Sequence, residues 1–291
     1  MIPGSFDYHA PKTLAEAIGL LAKLGDGAKI LAGGQSLIPA MRFRLAAPGA
    51  LIDINRIKEL EYIEERGGHL AIGALTREHL LESSPLVAES YPLLLDTARV
   101  IADPLVRNRA TVGGNLAHAD PANDHPATML AYEAELVAQG AKGTRTIPID
   151  QFFVGLFESS LKPGEILTEI RIPKPGPGSG GAYLKIERKV GDYAVAAVAV
   201  QLHLAKGKID RVRIGLTNVS PVPQRATQAE GALLGKDGNQ DVLEAAGKAA
   251  AAACDPSADL RGSVAYKRDM VRVLTKRAVR KAIERAQGAR A

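Results

Sequence analysis

Two pairs of adjacent glycines carry the chemistry most legible in this chain: Ala32-Gly33-Gly34-Gln35-Ser36 and Thr111-Val112-Gly113-Gly114-Asn115. Each follows an apolar or β-branched stretch and ends in a side chain able to give or accept a hydrogen bond. Where Cβ atoms are missing, backbone amides converge on an anion without steric clash. A single such loop is ordinarily a tight turn. Two of like build fit a ligand with two phosphates, held in a crevice between two lobes. Residues 261–291 hold ten Lys/Arg against two Asp/Glu, and the whole chain is only +5, so the first 260 residues are mildly acidic. Phosphate binding there would therefore rest on backbone dipoles rather than on lysines.

Other patterns are weaker. GPGSGG at 176–181 has the spacing of a dinucleotide fingerprint, but Pro175 and Pro177 interrupt its approach and a strand follows it, so the match is accidental. Gly34-Gln35-Ser36 does not complete a nucleophile elbow, because Ile38 stands where the closing glycine belongs. No Walker loop is present. His118, Asp120, Asp124 and His125 gather metal-type donors, but Pro121 and Pro126 read as fixing a loop, so no metal site is assigned. On alternation alone Lys185 reads as solvent-facing, and Gly191-Asp192-Tyr193 as a turn whose tyrosine could cover an aromatic ring. No general acid or base is assigned, so there is no catalytic residue in this reading.

The elements that must position these residues follow from patterning. Strands are expected at Phe6–His9, Lys29–Ala32 and Ala50–Ile54, with a helix opened by the capping box Thr13–Glu16. Past Leu70 come a strand, two helices and the second glycine pair, then strands at Glu135–Ala138 and Ile166–Ile172. Pro173–Gly181 is the clearest linker. Tyr183–Arg188, Val195–Leu204 and Val212–Leu216 predict a three-stranded antiparallel sheet, and the remainder is Ala-rich and helical. The expected domains are 1–176, α+β with two lobes, and 177–291, a small sheet with C-terminal helices.

With 46% hydrophobic residues and a longest apolar run of only Ala194–Val200, the 291-residue chain has core enough for two domains but no membrane span. A single cysteine, Cys254, excludes a Cys-ligated iron–sulfur cluster in this chain. No secretory signal is visible, and a cytoplasmic location is expected. The basic C-terminal segment has one aromatic, Tyr266, which argues against nucleic acid. Met270, Leu274 and Ala278 recur at four-residue spacing, leaving Arg272, Lys276, Arg280 and Lys281 on another face, a candidate for subunit docking.

AGGQSLIPAMRFRLAAPGALIDI, RNRATVGGNLAHADPANDHPA, GEILTEIRIP and YLKIERKVGDYAV, in that order, resemble the flavin-bearing medium subunit of molybdenum hydroxylases. That family includes aerobic carbon monoxide dehydrogenase and the FAD domain of xanthine dehydrogenase. The resemblance implies a vanillyl-alcohol-oxidase-type FAD domain followed by the family's C-terminal domain. It implies an FAD held by Ala32, Gly33, Gly34, Gln35 and Ser36, by Thr111, Val112, Gly113, Gly114 and Asn115, and by Asp124, Leu167, Lys185 and Tyr193, with Tyr193 over one face of the isoalloxazine. It further implies a large molybdopterin subunit, a small subunit with two [2Fe–2S] clusters, assembly as a dimer of heterotrimers, and an external electron acceptor. Gln35 departs from the histidine of the best-known carbon monoxide oxidisers. Carbon monoxide chemistry is the leading expectation, an aldehyde or N-heterocycle dehydrogenase the alternative, and a flavin-free scaffold the remaining one.

Overall fold

A computed structural model describes residues 2–288. The first lobe is a three-stranded parallel sheet, β1 (Asp7–His9), β2 (Ala28–Leu31) and β3 (Ala50–Asp53), ordered β1-β3-β2. Helices α1 (Leu14–Leu24) and α2 (Leu37–Arg42) make the connections. Thr13 caps α1 as its spacing predicts, but the Glu16 carboxylate takes the amide of Lys12 rather than closing the box on Thr13. Leu14, Ala17 and Ile18 of α1 pack with Ile52 and Ile54 into a small core.

The second lobe is a five-stranded antiparallel sheet, β4 (Ile63–Arg66), β5 (His69–Gly73), β6 (Glu135–Gly140), β7 (Gly143–Pro148) and a later strand, Ile166–Pro173. Between β5 and β6 run six helices: α3 (Glu78–Ser83), α4 (Pro85–Ser90), α5 (Pro92–Val100), α6 (Pro104–Arg107), α7 (Val112–His118) and α8 (Asp124–Tyr132). A hairpin of β8 (Phe153–Gly155) and β9 (Glu158–Ser159) precedes the fifth strand of the sheet, β10. The expected loop around Asp124 is a correction: Asp124 and His125 open α8. Pro126 sits in its first turn, where a missing N–H breaks no helical bond.

The third sheet is antiparallel: β11 (Ser179–Ile186), β12 (Ala196–Ala205) and β13 (Lys208–Thr217), joined by a two-residue β14 (Gln224–Arg225) too short to show alternation. Helices α9 (Thr227–Leu233), α10 (Gln240–Ala253) and α11 (Val264–Ala286) cover one face. Its other face packs on the second lobe, so β12 is buried from both sides. Ala197 and Ala199 meet the lobe, while Ala196, Val198 and Val200 meet the helices. That double burial explains the unbroken apolar run in a strand expected to alternate. Leu274 and Ala278 lie buried on α11 as their spacing predicts.

The cations of α11 have partners within the chain. Arg272 and Lys276 are bonded to Glu244 of α10, Lys281 and Arg285 to Asp96 of α5, and Arg280 to Gln240. Arg285 also donates to the Gly181 carbonyl, 2.6 Å away. These bonds hold the helix to its own chain. Residues 289–291 of the basic stretch lie outside the described residues.

Candidate functional site

The first glycine loop lies between β2 and α2, at the end of the parallel sheet. Gly34 adopts φ +76°, a conformation costly for any side chain, and a Cβ there would come within 2.7 Å of Ile38 Cδ1. The amides of Gly33, Gly34, Gln35 and Ser36 donate to no protein acceptor among the described residues. Gln35 is exposed and Ser36 half-buried, and the Ser36 side chain does not cap α2.

The second loop is built otherwise. Thr111 caps α7, accepting from Gly114 N at 3.1 Å, and the Asn115 amide bonds Thr111 O at 2.9 Å. Val112 N reaches Thr76 O and Gly113 N reaches Ala74 O, each at 3.0 Å. The expected nest of free amides is therefore absent here: Gly113 and Gly114 are helical, with ordinary φ, and their amides are engaged. A Cβ on Gly113 would run into the backbone of Ala74, so this glycine permits close packing of helix on strand. Asn115 Oδ1, by contrast, is buried with no partner.

The two loops touch. The room left by the missing Gly33 Cβ is filled by the backbone of Arg109 and Ala110, and Gly114 faces Ala32. A cleft of about 80 Å³ opens where they meet, lined by Ala32, Gly113, Gly114 and Leu167 with Ala74 and Glu165. Leu167 lies at a β-bulge in β10 and is buried. A larger cleft of about 390 Å³, near Lys174, His203 and Arg211, contains none of the expected residues.

The second group of residues surrounds Asp124. Lys185 is not a solvent-facing side chain: it is 3% exposed and donates to Asp124 Oδ2 and to Val100 O, both at 3.0 Å. The alternation of β11 hid this, because its outward face is covered by α5 and α8 of the other domain. Tyr183 donates to Asp124 Oδ1 at 2.6 Å. Burial pushes the Asp124 carboxyl above the ordinary range, against the pull of Lys185 and Tyr183. The Tyr183 hydroxyl is raised well above its usual value by burial and by the Asp124 charge. Asn123 joins this group to the second loop, donating to the Asn115 carbonyl at 2.9 Å.

Tyr193 follows the Gly191 turn and is 43% exposed, with the Arg261 guanidinium 5.6 Å from its ring centre. Burial of its hydroxyl end raises its pKa. Asp192 secures the turn: hydrogen bonding from Arg261, then Arg188, holds its carboxyl at about 2. Among the described residues, no group of three or more His, Cys, Asp or Glu could hold a metal. His118 instead lies against Phe157, and His125 pairs with buried Glu78 at 2.7 Å. Cys254, at the end of α10, is buried, which pushes its thiol up to about 12.

Sequence reasoning missed Tyr183 and Asn123 as partners of Asp124 and Asn115. The only signal available was a tyrosine two residues before Lys185. Open amides and a half-exposed aromatic ring together suit an extended anionic ligand with a planar end. An FAD meets that description: its diphosphate can take the free amides and its ring system the tyrosine.

Residues 4–175 match the family described as FAD binding domain in molybdopterin dehydrogenase, and residues 181–282 match the CO dehydrogenase flavoprotein C-terminal domain. The chain is 48% identical to the carbon monoxide dehydrogenase medium chain of Hydrogenophaga pseudoflava, over 96% of this chain and 97% of that one. It is 39% identical to the 6-hydroxypseudooxynicotine dehydrogenase complex subunit alpha of Paenarthrobacter nicotinovorans, over 99% and 97% of the two chains. Among solved structures, the carbon monoxide dehydrogenase of H. pseudoflava lacking the Mo-pyranopterin moiety superposes with a TM-score of 0.96, covering 98% of this chain and 99% of that one at 50% identity.

Proposed function

Because the chain belongs to the FAD-binding subunits of the molybdopterin dehydrogenases, we propose that it is the flavin-bearing medium subunit of a molybdenum hydroxylase of the carbon monoxide dehydrogenase type. In this reading a large partner subunit holds the molybdopterin cofactor and a small one two [2Fe–2S] clusters, in a dimer of heterotrimers. Electrons leave the complex through this chain to an external acceptor. FAD, when bound, supplies the exchange between one-electron donors and a two-electron acceptor. A cytoplasmic location belongs to the same proposal. Among the described residues no helix is long and apolar enough to cross a membrane. The chain divides into an FAD domain, 1–176, and a C-terminal domain, 177–291.

The observation that carries the reading is the run of unpartnered amides from Gly33 to Ser36. Donors left open in a row suit a ligand with several acceptor oxygens, and a diphosphate supplies them. Ala32 and Gln35 complete that loop. Thr111, Val112, Gly113, Gly114 and Asn115 form the opposing wall, offering the Asn115 side chain rather than backbone amides. Leu167 contributes from β10. Lys185, neutralised by Asp124, sits at the domain junction beside the ring system, and Tyr193 covers one ring face. None of these residues has to transfer a proton or form a covalent bond.

The reading is tested on the chain purified with whatever partner subunits accompany it. Visible absorption should show an oxidised flavin, and acid precipitation should release it entirely as FAD, one per chain. Colour retained in the pellet would contradict non-covalent binding, and a colourless complex would leave the scaffold reading in possession. Carbon monoxide is the favoured substrate by the similarity just given. The departure at Gln35 keeps an aldehyde or N-heterocycle as the second reading, and reduction of the bound flavin by each substrate in the intact complex separates them.

A further inference from the structure

Resting on the FAD reading above, we propose that Asn55 and Arg77 are positioning residues that set the two glycine loops against each other. The two side chains form a relay between a carbonyl of one loop and a carbonyl leading into the other. Asn55 Nδ2 donates to Ala32 O at 2.7 Å, immediately before the first glycine pair. Asn55 Oδ1 accepts from Arg77 Nη2 at 2.5 Å. Arg77 Nη1 donates to the carbonyl of Arg109, two residues before Thr111. That same carbonyl fills the space left by the missing Gly33 Cβ. The relay thus begins and ends on peptide groups that bear on Gly33.

Its base is rigid. Asn55 Nδ2 and the Asn55 amide both bond Asp53 Oδ1, at 2.6 and 2.9 Å, and Asp53 Oδ2 accepts from Tyr8 OH at 2.6 Å. Asp53 closes β3 and Tyr8 lies in β1, so the relay is anchored to the parallel sheet. A peptide group is planar, so fixing the direction of the Ala32 carbonyl also fixes where the Gly33 amide points. Gly33 is the first of the four unpartnered amides. Lose the donor at Asn55, and nothing among the described side chains holds that peptide plane.

Arginine suits the other end. Its planar fork reaches the Asn55 and Arg109 oxygens at once, which a lysine ammonium, a single point on a flexible stem, does not reproduce. The guanidinium is largely buried, with 15% of its side chain exposed, and Glu61 lies only at 3.9 Å. Its positive charge therefore stands behind the loops, where a diphosphate would draw on it. The role is specific to the loops, because neither residue belongs to a hydrophobic core.

The test uses the full-length protein with its partner subunits, flavin removed, in wild-type form and as Asn55→Ala, Asn55→Asp, Arg77→Lys and the Asn55→Ala/Arg77→Lys double variant. FAD affinity is titrated, and thermal unfolding is followed without flavin. Each single variant should weaken FAD binding by about tenfold, with the flavin-free midpoint close to wild type. The double variant should bind little worse than the weaker single one, since either change breaks the same relay. Asn55→Asp is the sharpest arm: it keeps an acceptor for Arg77 but removes the donor to Ala32 O, so it should lose affinity like Asn55→Ala. Wild-type affinity in Asn55→Asp, strictly additive losses, or losses that only follow a lowered midpoint would each overturn the proposal. A wild-type protein that takes up no FAD would overturn the functional reading and this inference together, whereas wild-type uptake with unaltered variants would overturn only the inference.

Discussion

At the first glycine loop four successive amides, Gly33 to Ser36, have no acceptor among the described residues; at the second, the amides of Val112 to Asn115 are all engaged within the chain. The motifs look alike on paper, each two glycines after an apolar stretch. One is an irregular turn with Gly34 in the left-handed region. The other is the first turn of a helix capped by Thr111 and pressed against Ala74. In the first, Gly34 is needed for its left-handed backbone conformation and Gly33 because the backbone of Arg109 and Ala110 leaves no room for a Cβ. In the second, glycine is needed because no side chain fits between helix and strand. A glycine pair therefore reports close approach of something, and only the surroundings say whether that is a ligand or the protein itself.

The contrast is most exposed to failure at Gly34. Gly34→Val forces a β-branched residue to φ +76° and crowds Ile38, a strain of about 1–3 kcal/mol. It should re-aim the free amides, so FAD content should collapse in a protein whose circular dichroism remains native. Full flavin occupancy would show that these donors are not used. Gly113→Ala should behave in the opposite sense. Overpacking against Ala74 should cost about 1–3 kcal/mol, lowering the thermal midpoint by several degrees, while the folded fraction keeps its flavin. If flavin is lost with no fall in midpoint, the second loop is a ligand contact in the way the first is.

Thr111→Val removes the α7 cap at a cost of about 1 kcal/mol and frees the Gly114 amide. Denaturant unfolding should register the loss, and FAD affinity should change only slightly. The smallest effect belongs to Gln35→His. Gln35 is exposed, so stability should stay within about 0.5 kcal/mol, and FAD affinity should hardly move because the loop binds through its backbone. A large change in affinity would mean that the side chain at this position takes part directly.

Much of the architecture was legible from local pattern. The capping residue Thr13, the Pro92–Val100 helix and the strands around Leu51, Leu136 and Ile170 all carry short-range signals, whereas the linker expected over Pro173–Gly181 shrinks to residues 174–178 because β11 already begins at Ser179. Those signals depend only on neighbours a few residues away. The helix at Asp124 differs from the expected loop for a local reason too: a proline signals a break, yet Pro126 in the first turn is compatible with a helix.

What the sequence determined by itself was where the chain turns, where its backbone is free of side chains, and which segments repeat a helical or alternating pattern. What only the tertiary structure decided was which polar groups are left without partners. Lys185 could be read as solvent-facing because periodicity assigns a face without saying what covers it; α8 covers it and supplies Asp124. The cations of α11 give no sign of their partners in the sequence because their acceptors, Glu244 and Asp96, lie 28 to 189 residues away in the chain. The engaged amides of the second loop depend on Ala74 and Thr76, brought to it by the close of β5. Hydrogen-bond satisfaction is a property of neighbours in space, and a one-dimensional pattern does not record who those neighbours are.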